Sequence, residues 1–412
     1  MTIGERPVPS LGSMATIASF TPSDQHRKRP PLPGGTAWWV FCAATASALA
    51  VFSSLGPHRV WGTAAALGYT AAALLAVRGR SPRTAGAVAV TGAVLLPLLV
   101  LLAVDRAQLE VRVVARSAGL LLTDGTPYLQ HPLVPADFNP YLPGMAVFGL
   151  PEAVAGPGPL TDPRLWMGTA FLGALALALP AGSRREPLRW IAACPLVALP
   201  LAVGGVDLPV AGLMCLGLAL AGRGRADAAG LALGLAAALK WTAWPAIPVA
   251  LALLAAASRG EDRPGNRTAP RCGLVALLTT AALVLPAALR DPGAFRAHVV
   301  DFPLGLTDAV SSAASPLPGH LIAAHVPGGG TLALLLLGVS ALLLAFSLLV
   351  RPPETATAAA GRLALGLLLA IAFMPATRFG YLVHPLVLAA WAAARHAPVH
   401  PLLVRVRKQA SR

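Results

Sequence analysis

The sequence has little charge and lacks several motifs of soluble enzymes. Only 12% of its 412 residues are Asp, Glu, Lys or Arg, whereas about a quarter is usual for soluble globular proteins. Its four cysteines form no CxxC or Cys/His pattern, so neither a zinc site nor a disulfide framework is indicated. A Walker A sequence and a Rossmann fingerprint are also missing, which argues against an ATP-driven pump.

Long apolar runs are abundant instead. Residues 332–350, "LALLLLGVSALLLAFSLLV", contain no charge and suit a bilayer core about 30 Å thick. These runs predict an all-α polytopic membrane protein with about twelve transmembrane helices. The predicted segments are 37–54, 60–77, 84–104, 165–181, 188–204, 207–222, 228–240, 244–257, 273–289, 331–350, 363–376 and 380–394.

The net charge of +15 is spread over short Lys/Arg tracts between the apolar runs. If the N-terminus is cytoplasmic, nearly every basic tract falls on the cytoplasmic side of the plasma membrane, as the positive-inside rule requires. Because no basic domain is formed, nucleic-acid binding is not indicated. We expect a disordered cytoplasmic tail at 1–36, a transmembrane domain at 37–395 and a basic cytoplasmic tail at 396–412.

Two long loops, 105–164 and 290–330, then lie on the extracytoplasmic side. The first begins with "LEVRVVARSAGLLL", in which Leu109, Val113 and Leu120 fall near one helical stripe and Arg112 on another. Such a pattern predicts an amphipathic helix that lies along the outer membrane surface. The same topology places several charged or ring-bearing residues on this side: Glu110, Asp207, Lys240, His320 and Arg378.

The first loop resembles a known family. An acid, an amphipathic helix, "DGTPYL" at 124–129 and "DFNPYLPGMAVFGLP" at 137–151 follow in the order found in glycosyltransferase family 87, the polyprenyl-phosphate-mannose-dependent mannosyltransferases of the GT-C superfamily. The acid is Glu here, where better-known members carry Asp. The corresponding residues are Glu110, Val111, Val113, Gly125, Pro127, Tyr128, Tyr141 and Pro143.

The resemblance implies a GT-C-like helical bundle that transfers a hexose, most simply mannose, from a polyprenyl-phosphate donor to a lipid or glycan acceptor, with inversion. It implies that Glu110 is the base, with Asp105 as the alternative and Asp207 as a supplement near the acceptor. No DxD pair stands near Glu110, so no metal or other cofactor is demanded. We assign binding of the donor phosphate to Lys240, Arg378 and His320. We assign binding of the sugar or the acceptor to five further residues, Tyr128, His131, Asn139, Tyr141 and Tyr381.

Simpler roles stay open for most of these residues. Lys240 could snorkel to the interface, and Arg378 could pair with an acid such as Asp207. His320 could be structural, while His131 and Asn139 could be turn formers. A secondary transporter or lipid flippase with about twelve spans is the alternative function, although the charges avoid the centres of the spans. A catalytically silent scaffold is a third interpretation.

Overall fold

A computed structural model describes Met1 and residues 35–183, 185–258, 267–309 and 313–396. The two predicted tails, 1–36 and 396–412, lie almost entirely outside the described residues. Within these ranges the chain forms eighteen α-helices and no strand. They are α1 (Thr36–Phe52), α2 (Gly56–Val77), α3 (Pro82–Val90), α4 (Leu96–Ala103), α5 (Leu109–Asp124), α6 (Leu150–Ala155), α7 (Pro163–Ala178), α8 (Arg185–Ala193), α9 (Pro195–Val203), α10 (Asp207–Ala221), α11 (Ala226–Leu239), α12 (Ala246–Ser258), α13 (Thr268–Arg290), α14 (Pro292–Arg296), α15 (Pro318–His325), α16 (Gly329–Val350), α17 (Ala356–Phe373) and α18 (Val383–His396).

Each predicted apolar segment overlaps a helix or a helix pair, so the prediction of an all-α multi-pass membrane protein is confirmed. In the described part of the chain, six helices are long and apolar enough to cross a membrane, or seven if a bent pair counts as one span. The other predicted crossings are shorter helices. Four of the six are the single helices Gly56–Val77, Thr268–Arg290, Gly329–Val350 and Ala356–Phe373. The other two are Pro82–Ala103, which runs through α3 and α4, and Trp241–Ser258, which contains α12 and the turn before it.

The segment predicted as a single span at 188–204 is not one straight helix, because it forms α8 and α9, which are bent by 79° and count as one span only if the pair crosses the membrane together. The break lies at Cys194, whose backbone is extended, with ψ of 129°. Pro195 follows, and the residue before a proline is disfavoured in helical conformation. α9 ends at Val203, beside the start of α5, so this bend determines where the first long loop meets the bundle.

A second break separates α11 from α12 at Lys240, whose backbone is extended, with φ of −161°. The last carbonyls of α11 find donors outside the helix. The Leu142 amide donates to the Leu239 carbonyl (3.1 Å), and the Trp244 indole donates to the Ala237 carbonyl (3.1 Å). Because the helix end is satisfied in this way, Lys240 can leave the helix and direct its side chain towards the neighbouring α10.

The amphipathic helix predicted in the first loop is present as α5. Val111, Val114 and Ala118 are buried on its inner face, which packs against the 3-10 segment Pro143–Gly149. Leu109, expected on the apolar stripe, is half exposed. Gly125, with φ of 75°, ends the helix in the left-handed conformation that glycine adopts without strain.

Candidate active site

Lys240 and Asp207 form a buried ion pair. The Lys240 Nζ lies 2.5 Å from the Asp207 Oδ1, and the two side chains are 8% and 14% exposed. Asp207 is the first residue of α10, while Lys240 directly follows α11. Each charge therefore sits at the helix end whose dipole has the opposite sign, which stabilises both ions.

Glu110 and Arg378 form a second pair, in which the Arg378 Nη1 donates to the Glu110 Oε1 over 2.8 Å. The two side chains are 21% and 38% exposed. Glu110 lies in the first turn of α5, where the helix dipole again favours a carboxylate. The partners are 268 residues apart in sequence, so the pair joins the first long loop to the turn before α18.

Two tyrosines bring the pairs together into one site. The Lys240 Nζ lies 4.4 Å from the centre of the Tyr381 ring and 5.8 Å from that of Tyr141, distances at which cation–π attraction acts. Tyr381 also belongs to the turn of Arg378, because its amide donates to the Arg378 carbonyl over 3.1 Å. We call the six residues the ion-pair cluster: Glu110, Tyr141, Asp207, Lys240, Arg378 and Tyr381.

The position of Glu110 depends on close packing at the end of α9. The Gln108 amide donates to the Val203 carbonyl over 3.0 Å. Gly204, with φ of 119°, adopts a conformation that L side chains rarely take, and a Cβ there would collide with the Val111 side chain. The first turn of α5 can therefore rest directly on the backbone that follows α9.

A buried arginine fastens the same region. The Arg164 side chain, 1% exposed, makes a two-pronged pair with Asp162: its Nη2 lies 2.7 Å from Oδ2 and its Nε 2.9 Å from Oδ1. It also donates to the Arg106 carbonyl over 2.9 Å. Planar two-point pairing of this kind restricts orientation as well as distance. Arg164 was not predicted from the sequence, because "DPRLW" looks like an ordinary helix start.

Arg378 is held by the second long loop. Residues 314 and 377 form an isolated parallel bridge, with the Ser315 amide donating to the Thr377 carbonyl over 2.9 Å. The Phe379 amide donates to the Ser315 hydroxyl over 3.1 Å. His320 donates from its Nδ1 to the Pro375 carbonyl over 3.0 Å. In this structure His320 therefore anchors the segment that leads to Arg378.

Two further histidines reach the site and were missed by the sequence analysis. His384, in the first turn of α18, is buried, and its Nε2 lies 3.6 Å from the Asp207 Oδ1. His58, near the start of α2, accepts a hydrogen bond from the side chain of Gln108, two residues before Glu110. The signal for His384 was its spacing of three residues from Tyr381, which places both side chains on one side of a helical turn.

The remaining predicted residues lie outside the ion-pair cluster. Asp105 pairs with Arg112 over 3.1 Å at an exposed turn, where its own side chain is 84% exposed. His131 is exposed. The buried Tyr128 hydroxyl donates to the Tyr141 carbonyl over 2.9 Å, and burial raises the pKa of Tyr128 well above its usual value.

Asn139 belongs to a second polar group, between the two long loops. Its amide side chain donates to the Ser117 hydroxyl over 2.9 Å, and its backbone N–H donates to the Nδ1 of His298 over 2.8 Å. The Nε2 of His298 donates to the Leu129 carbonyl over 2.8 Å. The ring thus accepts at Nδ1 and donates at Nε2, which is the pattern of a neutral imidazole, and burial lowers the pKa of His298. We call Tyr128, Asn139 and His298 the loop cluster.

The ion-pair cluster has the chemistry of an anion site with an adjacent base. Its two cations can each make charge-assisted hydrogen bonds to a phosphate, and a carboxylate lies beside each of them. No group of three or more potential metal-ligating side chains comes together within the described residues.

Comparison with known proteins gave two similar solved structures. No protein-family model and no curated protein matches the chain. ArnT from Cupriavidus metallidurans in the apo state is 17% identical, with a TM-score of 0.44, over 72% of this chain and 56% of that one. The same protein bound to undecaprenyl phosphate is 17% identical, with a TM-score of 0.45, over 73% and 59%. The chain thus spans less than two thirds of the length of either structure that it resembles.

Proposed function

We propose that this protein is a membrane glycosyltransferase of the GT-C type, which moves a hexose from a polyprenyl-phosphate donor to a hydroxyl of a lipid or glycan acceptor. The observation that carries the proposal is the ion-pair cluster, in which Lys240 and Arg378 each meet a carboxylate. Mannose is the sugar that the resemblance to family 87 implies. The extracytoplasmic leaflet is the side that the distribution of basic residues implies.

The donor phosphate is assigned to Lys240 and Arg378. A polyprenyl phosphate carries its charge at headgroup depth while its tail lies in the hydrocarbon, so its receptor needs cations at the ends of apolar helices. Lys240 follows the apolar helix α11 and Arg378 precedes α18. The arriving phosphate competes with Asp207 and Glu110 for these cations, because a phosphate accepts strong hydrogen bonds from both Lys and Arg.

Displacement of Arg378 frees Glu110 to act as the base. The Glu110 carboxylate takes the proton of the acceptor hydroxyl, and the acceptor oxygen forms a bond to the anomeric carbon of the sugar. The bond from that carbon to the phosphate oxygen breaks, and its electron pair leaves with the polyprenyl phosphate, which the two cations stabilise. A single displacement inverts the configuration at the anomeric carbon. Asp207 is left to orient the acceptor, and the two tyrosines are left to orient the sugar of the donor.

The proposal is tested by transfer from a labelled donor. Purified protein in lipid nanodiscs is incubated with radiolabelled polyprenyl-phosphate-mannose and an actinobacterial lipid extract, and we expect a labelled glycolipid or glycan. Parallel reactions with polyprenyl-phosphate-linked glucose and arabinose identify the sugar. If none of these donors gives a product, the proposal is wrong. If the protein moves the donor between leaflets without changing it chemically, the flippase alternative is favoured instead.

A further inference from the structure

His384 contacts three separate parts of the ion-pair cluster. Its Nδ1 lies 3.2 Å from the Tyr381 carbonyl oxygen, so the ring donates from Nδ1 to the backbone. Its Nε2 lies 3.3 Å from the Thr242 hydroxyl and 3.6 Å from the Asp207 Oδ1. The side chain is 1% exposed, so these contacts are made away from solvent.

Two of the contacts belong to the segments that carry the proposed phosphate ligands, and the third belongs to the helix that carries the counterion of Lys240. Tyr381 lies in the turn that contains Arg378, and Thr242 lies in the short 3-10 turn that directly follows Lys240. Asp207 begins α10 and is the ion-pair partner of Lys240. Through one imidazole, the turn that carries Arg378 is therefore linked to the segment that follows Lys240, and the ring lies beside the counterion of that lysine.

The direction of each hydrogen bond decides what the ring does. Because a carbonyl can only accept, the proton at Nδ1 is used by Tyr381, and Nε2 can accept from the Thr242 hydroxyl. In this tautomer the ring presents no N–H to Asp207, so it does not compete with Lys240 for that carboxylate. A proton at Nε2 would place a second cation against Asp207.

We propose that His384 is a positioning residue for the donor phosphate, resting on the function proposed above. Its Nδ1–H holds the turn of Tyr381 so that Arg378 and Lys240 face the same phosphate group. Without that hydrogen bond the turn can shift while Lys240 stays paired with Asp207, and the two cations no longer converge. The donor then binds more weakly, whereas the acceptor, which needs neither cation, is unaffected.

Three substitutions test this role. In His384→Ala we expect the KM for the polyprenyl-phosphate sugar to rise about tenfold or more, which is about 1.4 kcal/mol, with the KM for the acceptor unchanged. The side-chain amide of His384→Asn can place an N–H near the position of Nδ1 and is expected to restore most donor affinity. His384→Gln reaches the position of Nε2 instead and is expected to resemble His384→Ala.

Two controls separate this inference from the proposed function. Lys240→Ala reports the loss of a phosphate ligand itself, and His325→Ala removes an exposed histidine that lies outside the site. If Lys240→Ala raises the donor KM while all three His384 variants keep the wild-type donor KM, the positioning role is overturned and the transferase stands. If the wild-type protein transfers no sugar, both are overturned. Should His384→Ala fail to fold, equal donor KM values in wild type, His384→Asn and His384→Gln overturn the positioning role.

Discussion

The ion-pair cluster and the loop cluster are both polar groups formed by distant parts of the chain, but they are held together differently. In the first, side-chain ions meet side-chain ions, as in the contact of Glu110 with Arg378. In the second, the side chains of His298 and Asn139 make most of their hydrogen bonds to backbone groups, and Asn139 also donates to the Ser117 hydroxyl. A ligand ion can replace a side-chain ion, whereas a backbone partner has no substitute. This difference fits the proposed function, in which the first cluster exchanges partners with the donor phosphate and the second holds the two long loops together.

The largest effect is expected from Glu110→Gln. The amide keeps the shape of the side chain and a weaker contact with Arg378 but cannot take a proton. Because general base catalysis typically contributes about 10²- to 10⁴-fold, kcat should fall by that factor, with a thermal midpoint close to wild type. Transfer of labelled sugar under saturating donor measures it. Full activity in a well-folded Glu110→Gln protein would show that this carboxylate is not the base.

A double-mutant cycle on Lys240 and Asp207 separates the contribution of this ion pair to stability from its contribution to activity. Lys240→Met should destabilise the protein by about 3–5 kcal/mol, because it leaves the Asp207 carboxylate buried and unpaired. Adding Asp207→Asn removes that charge and should recover most of the stability. Transfer activity should remain lost in the double variant, because the phosphate ligand is still absent. Denaturation in mixed detergent micelles measures the change in stability, and transfer of labelled sugar measures the activity.

The loop cluster should respond in stability rather than in donor binding. Asn139→Ala removes the donor to Ser117 and the acceptor of the Tyr141 amide. We expect about 1–3 kcal/mol of destabilisation, as for other buried hydrogen-bonding groups left unpaired, with the donor KM unchanged in the folded fraction. A changed donor KM without a change in thermal midpoint would reverse the roles assigned to the two clusters.

His298 makes the loop cluster sensitive to acid. Burial holds its folded-state pKa below the usual value of 6.5, so the unfolded chain binds a proton at higher pH than the folded chain does. The stabilisation from the neutral ring is therefore complete above about pH 6.5 and is lost as the pH falls towards the lowered folded-state pKa. As the pH falls through this window, the thermal midpoint of the wild type should decline, and that of His298→Gln should decline less. Parallel curves for the two proteins would contradict this assignment.

The smallest effect is expected at Asp105, the alternative base. Its carboxylate is largely exposed and pairs with Arg112, and such surface pairs typically contribute 1 kcal/mol or less. Asp105→Asn should therefore change neither kcat nor the thermal midpoint by a measurable amount. A loss of activity comparable with that of Glu110→Gln would instead assign the base to Asp105.

The sequence predicted the helices because apolar runs of this length leave few other structures. It also predicted that Glu110, Asp207, Lys240 and Arg378 share one side of the membrane, and the structure brings these four together. It did not predict their pairing. Arg378 was weighed as a partner of Asp207, yet it meets Glu110, because pairing depends on how the long loops fold back.

Residues whose role arises from tertiary packing were the ones missed. The spacing of His384 from Tyr381 was visible in the sequence, but its other partners, Thr242 and Asp207, are distant in sequence. Arg164 is buried only because the turn after α4 and the end of α9 close around it. The bend between α8 and α9 could have been expected from Pro195, but its angle of 79° depends on packing. Local sequence patterns do not show which distant segments will pack around a residue.

The contact between Gly204 and Val111 has a consequence for acceptor choice. Since a missing side chain lets α5 settle onto the end of α9, the depth at which Glu110 enters the site is set by two rigid surfaces. A methyl group at position 204 would collide with Val111 and push the first turn of α5 away from the end of α9. Under the proposed function, the residue at position 204 therefore sets how far Glu110 reaches towards the acceptor, and a larger side chain there is expected to change which alcohols are accepted.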